Sequence, residues 1–238
     1  MPPAVPEPGC GTNLLESRPM DPETQNTLQL LSIAILPTLF AIVVHEVAHG
    51  WTARHYGDDT AWMLGRLTLN PIKHIDPVGT ILVPVLTIWT MGFAFGWAKP
   101  VPIDWRKLHN PRRDMVLVAA AGPGANLLMA IGWGLVAKLA SLLPAGLAMI
   151  SMPLFYMGVF GILINVVLMV FNLVPLPPLD GGRIAVGLLP PALARPLSRI
   201  EPLGMILIVV LILTGGWRFI APVIEWVRHG IMLLTGLA

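Results

Sequence analysis

The sequence predicts an all-α polytopic membrane protein: a bundle of about five to six transmembrane segments with a re-entrant or hairpin element around 78–104. Of its 238 residues 55% are hydrophobic and 12% charged, with a mean hydropathy of +0.74; an average soluble domain is about 25% charged. Long apolar stretches recur, separated by clusters rich in Pro, Gly and Arg. Most of the cations fall in those clusters, so the net charge of +2 describes interhelical arginines rather than a basic face, and no nucleic acid partner is expected.

Residues 1–27 carry Glu7, Glu16, Asp21 and Glu23 against Arg18 alone, the wrong sign for the n-region of a signal peptide. They read as a disordered N-terminal tail ahead of a single membrane-embedded domain, 28–238. Cys10 is the only cysteine, so no intrachain disulfide and no cysteine-based metal site can form. Apolar segments follow at 28–50, 78–97, 115–143, 153–174 and 202–237. The last is one helix or two, since Gly215 and Gly216 interrupt it.

Charge bias sets the orientation. Arg54, Arg66 and Lys73 lie in 51–77, and Lys99, Arg106, Lys107, Arg112 and Arg113 in 98–114; Arg183, Arg195 and Arg199 lie in 175–200, and no cation lies in 144–152. If 78–97 crossed fully, the two most basic connections would lie on opposite sides, against the positive-inside tendency. If it dips in and returns, all three basic connections are cytoplasmic. The first and fourth segments then run parallel, and their C-terminal ends can meet. A re-entrant backbone must be packed against protein or a water cavity.

The first segment ends in "AIVVHEVAHG". His45 and His49 are spaced i, i+4, so both imidazoles project from one helix face at neighbouring heights, as two zinc ligands require. Glu46 sits about a third of a turn round, where it can act as general base without ligating the metal. A bare HExxH is short, but here it interrupts a stretch that otherwise excludes polar residues, where a charge costs roughly 2.5 to 3.5 kcal/mol. A catalytic zinc generally needs a third protein ligand. The candidates are Asp180, Glu201, Glu225 and His74. Asp180 ends "FNLVPLPPLDGG", where Pro175, Pro177 and Pro178 stop a helix and Gly181 and Gly182 permit a sharp turn. The parallel arrangement brings it to His45 and His49, and Zn2+ with two neutral imidazoles, one aspartate and one hydroxide is net neutral. Glu201 and Glu225 are expected to snorkel or pair with arginines, and His74 to lie in an interfacial loop. Asn126, in "AGPGANLL", either hydrogen-bonds a substrate carbonyl or ties two helices together, and Asn172 has the same two readings. "GWAKPVPID", 96–104, reads as an edge strand or hairpin able to pair with an unwound substrate, or as a plain connector.

Taken together, "HEVAHGWTARHYGD", "LGRLTLNPIKHIDPVGTI", "GWAKPVPI", "AGPGANLL" and "FNLVPLPPLDGGRI" resemble successive blocks of the site-2 protease family, in its compact bacterial branch without a PDZ domain. The first and last blocks are the specific ones. The resemblance implies a membrane-embedded zinc peptidase with one Zn2+ held by His45, His49 and Asp180, Glu46 as catalytic base and Asn126 in substrate positioning. It implies cleavage within or near transmembrane segments of other membrane proteins, in a bacterial inner membrane with the site towards the cytoplasm. Expected partners are a transmembrane substrate and the bilayer. Many relatives have a transmembrane helix before the HExxH helix; here only the polar tail precedes it. Two rival classes remain at this stage: another membrane zinc protease with Glu201 or Glu225 as third ligand, and a metal transporter, which should show a path of polar residues through several helices.

Overall fold

The computed structural model describes residues 22–91 and 96–238, and no strand occurs among them. Helix α1 runs Pro22–His55, α2 Thr60–Met63, α3 Val83–Met91, α4 Pro111–Ser141 and α5 Ala148–Asn172; α6 is Asp180–Leu188, α7 Pro191–Arg199, α8 Gly204–Leu213 and α9 Trp217–Leu234. Four stretches among the described residues are long and apolar enough to span a bilayer: Thr27–His55, Pro111–Ser141, Ala145–Asn172 and Pro191–Leu213. That is fewer than the five to six expected. The element at 77–90 is too short, and α9 carries Arg218, Glu225 and Arg228 within 18 residues.

One boundary differs from expectation, and one open reading resolves. The part of the N-terminal tail at 1–21 lies outside the described residues, and residues 22–27 are already helical, starting at Pro22, whose fixed φ suits a first helical position. The apolar stretch 202–237 is two helices, broken where Gly215 takes φ 85°, a left-handed conformation costly to any residue with a Cβ.

The core forms where α4 packs against α5, α1 and α6, with α9 closing on α5. Ala130, Ile162, Val166, Ile224 and Ile231 are buried together there. At the other end Ala53, Leu108 and Val118 join α1 to α4.

Between α1 and α4 the chain makes a hairpin. Asn70 and Asp76, each followed by proline, start two short helical turns; Asn70 accepts from Ile72 N, and Asp76 from Val78 N and Gly79 N. The apolar helix that follows, Pro77–Thr90, spans about 21 Å at 1.5 Å per residue, short of the roughly 30 Å hydrocarbon core. The chain then comes back to where it began: Trp97 N donates to Gly79 O at 3.0 Å and Thr80 Oγ1 donates to Trp97 O at 2.9 Å. Residues 96–104, which one reading makes an edge strand, belong to no regular element and form no ladder; Pro100 and Pro102 have no N–H to pair.

The return places the three basic connections at one end of the bundle. His109 N donates to Tyr56 O, buried Asp58 accepts from Asp104 N, and Arg112 donates to Gly187 O and Leu189 O. The Arg183 guanidinium lies 4.8 Å from the ring centre of Trp105. The C-terminal ends of α1 and α5 are therefore at the same end, as a site shared between them requires.

Candidate metal centre

His45 and His49 are each 7% exposed, on the face of α1 turned to α4. Asp180 is delivered by the chain that leaves α5. The segment 173–179 folds back under the helix end, and Asp180 becomes the first residue of α6. Gly181 and Gly182 make this possible: a Cβ on either would collide with the backbone of 173–177, against which the start of α6 is pressed.

The three side chains converge. Asp180 Oδ2 lies 3.3 Å from His45 Nε2 and 3.2 Å from His49 Nε2, and the two Nε2 atoms are 3.0 Å apart. The tautomers follow from the other ring nitrogens. His45 Nδ1 faces Asn126 Oδ1 at 2.5 Å, and His49 Nδ1 faces Val118 O at 2.7 Å. Both partners can only accept, because the Asn126 amide hydrogens are given to Ala41 O and Asn165 Oδ1. Each Nδ1 therefore carries the proton, and each Nε2 presents a lone pair. Two imidazole lone pairs and a buried carboxylate oxygen without a hydrogen-bond partner face one another.

Such an arrangement calls for a cation. Tetrahedral bonds of about 2.0–2.1 Å to N and O place ligand atoms roughly 3.3–3.4 Å apart, and the observed separations of 3.0 to 3.3 Å fit that spacing. Among the described residues this is the one group of three His, Cys, Asp or Glu side chains able to hold a metal.

Gly122, on α4, faces the imidazoles so closely that a Cβ there would overlap His49 Nε2 and His45 Cε1. The sequence marks it as a small residue for helix packing; its neighbours in space are the two histidines. Asn126 and Asn165 are fully buried, and Asn165 was missed by sequence reading because a lone Asn in an apolar helix shows nothing of its partner.

Glu46 points elsewhere on α1, its Oε2 accepting from Val101 N at 2.7 Å. It lines, with His45, a cavity of about 460 Å³ whose walls are mainly apolar, among them Leu39, Ile42, Leu168 and Phe171. Asn172 lines the same cavity, its Nδ2 donated to Leu168 O. His74 also borders it, 3% exposed, with its Nε2 facing Thr68 O at 2.9 Å. The other carboxylates lie apart: Glu201 is paired with Arg183 at 2.7 Å and Glu225 with Arg228 at 2.6 Å.

A helical membrane bundle with an HExxH helix and a converging aspartate defines a membrane-embedded zinc metalloprotease. Comparison with known proteins places it more closely. The model of "Peptidase family M50" matches residues 145–215. YwhC of Bacillus subtilis, which carries the name of a zinc metalloprotease, is 40% identical over 209 residues, covering 87% of this chain and 92% of that one. Rip2 of Mycolicibacterium smegmatis, named likewise, is 31% identical over 201 residues, 82% of this chain and 72% of its own. Rip2 of Mycobacterium tuberculosis is 29% identical over 195 residues, 79% and 70% respectively. No solved structure matches. The chain belongs to peptidase family M50, the site-2 proteases, and is an integral membrane zinc metalloprotease.

Proposed function

We propose that this protease hydrolyses peptide bonds within or beside transmembrane segments of other membrane proteins, with His45, His49 and Asp180 as its zinc ligands and Glu46 as its general base. The carrying observation is that three unprotonated ligand atoms converge within 3.3 Å inside a bundle of membrane-spanning helices, next to a largely apolar cavity that Glu46 also lines. An extended apolar segment suits that cavity better than a polar peptide does.

Zinc at these residues supplies Lewis acidity, acidifying water and polarising a carbonyl oxygen. The chain's own residues do the rest. Asn126 and the Val118 carbonyl hold the imidazoles by their Nδ1–H groups, which fixes ring orientation and keeps each Nε2 free. Glu46 takes the proton of the attacking water and later gives it to the leaving amine. Asn172, at the end of α5, lines the cavity, and its Oδ1 accepts from the substrate backbone in this reading. A helical substrate must unwind first, because its amides are tied up in internal bonds.

The run from Leu28 to Val44 is about 26 Å long at 1.5 Å per residue, so the site lies near the end of α1 that carries the basic connections. By the positive-inside tendency that end is cytoplasmic, and water reaches the site from the cytoplasm of a bacterial inner membrane. Regulated release of a membrane-bound signalling protein is the biological use that fits. In Glu46→Gln, zinc is expected at about one per chain while cleavage of a model transmembrane substrate falls by about 10²- to 10⁴-fold. Cleavage at the wild-type rate by zinc-loaded Glu46→Gln would refute the base assignment.

A further inference from the structure

Glu46 is held by a part of the chain that belongs to no regular element. Its partner, Val101 N, lies in the run 96–104, which borders the cavity at Gly96–Ala98 and has no ladder to stiffen it. Fixing a chain outside any regular element costs backbone entropy at every residue, so its fixation must come from discrete contacts. Trp97 N and Lys99 N bond Gly79 O and His74 O at 3.0 and 2.9 Å, and Asp104 N bonds Asp58 at 2.7 Å. Between these anchors Pro100 and Pro102 offer no N–H, which leaves carbonyls as the polar handles next to Val101. Arg66 takes them: its Nη2 donates to Lys99 O at 2.9 Å and to Pro100 O at 3.3 Å.

The same stretch is seated on α1. Leu67 and Val101 both press on Gly50, one turn beyond Glu46 on the same helix face; a Cβ there would lie 2.5 Å from Leu67 Cδ2 and 2.8 Å from Val101 Cγ1. The side chain of Val101 is thus fixed at one turn of α1 while its N–H reaches the carboxylate of the turn before.

We infer that Arg66 is a positioning residue for Glu46, acting through the main chain of Lys99–Val101 to hold the carboxylate where it can meet the attacking water. This rests on the reading of Glu46 as general base. Arg66 is bonded to none of His45, His49 and Asp180, so its loss leaves the ligand set whole. Misplacing a reacting group by about 1 Å can cost about 10²-fold in rate.

The test compares purified full-length wild type, Arg66→Ala and Arg66→Lys in detergent or nanodiscs. In Arg66→Ala, kcat on a model transmembrane substrate is expected to fall about 10- to 100-fold with KM within twofold, while zinc content and melting temperature stay at wild-type values. Amide hydrogen exchange is expected to quicken in peptides covering 97–103 and to be unchanged along α1. Arg66→Lys should recover kcat to within about threefold, because a single nitrogen serves both carbonyls. Three results would each overturn the inference: wild-type kcat in Arg66→Ala, a loss of zinc or melting temperature in step with kcat, or a lysine variant as poor as alanine. An inactive Glu46→Gln beside a fully active Arg66→Ala sinks this inference alone, whereas an active Glu46→Gln sinks the base assignment beneath it.

Discussion

Asn126 ties an imidazole of the candidate metal centre to two other helix groups. Its Oδ1 accepts from His45 Nδ1, and its two hydrogens go to Ala41 O and Asn165 Oδ1. Of the two readings open from sequence, substrate contact and helix tying, the geometry adds a third: orientation of a ligand imidazole. Removing such a partner typically weakens metal binding by 10- to 100-fold, and leaving buried Asn165 without its donor costs about 1–3 kcal/mol more. Asn126→Ala is therefore expected to lose zinc at chelator concentrations that wild type resists by 10- to 100-fold, with a lower melting temperature; unchanged chelator resistance would remove Asn126 from the site. That His45, His49 and Asp180 come together was legible because helical spacing and proline–glycine punctuation are local. The Asn126 bond joins residues 81 apart and the Gly122 contact joins α4 to α1, so both depend on packing that no local pattern encodes.

At the scale of elements, the site depends on the segment that links α5 to α6. Three prolines end α5 and the Gly181–Gly182 pair presses the start of α6 against that turn, so Asp180 emerges at the depth of the HExxH residues. Glu201, the rival third ligand, is held by Arg183, which also stacks on Trp105. Zinc content separates the two: Asp180→Ala is expected to bind well under one zinc per chain and Glu201→Ala about one. The opposite pattern would return the third ligand to a glutamate. The hairpin at 77–97 was foreseen from charge bias, a property of whole loops that survives ignorance of side-chain contacts. The strand reading at 96–104 erred because alternation mimics a strand while two prolines deny it a ladder. Arg66 gave no signal at all, since one arginine in a basic connection looks like every other.

For the whole molecule, the hairpin decides where everything else lies. Because Trp97 returns to Gly79, connections 51–77, 98–114 and 173–200 gather at one end of the bundle and the 142–150 turn lies at the other. The candidate metal centre sits at the first end, so the side of the membrane it faces follows from this one reversal. Single cysteines test it directly in a Cys10→Ser background. Lys73→Cys, Arg106→Cys and Pro190→Cys replace exposed residues of the three basic connections, and Gly146→Cys one of the opposite turn. In intact cells a membrane-impermeant maleimide is expected to label Gly146→Cys alone; once the cytoplasmic face is opened, the other three should label as well. Were Arg106→Cys to label from the side opposite Lys73→Cys, the segment 77–97 would cross the membrane. α1 and α5 would then be antiparallel, and Asp180 would lie a full bilayer away from His45 and His49.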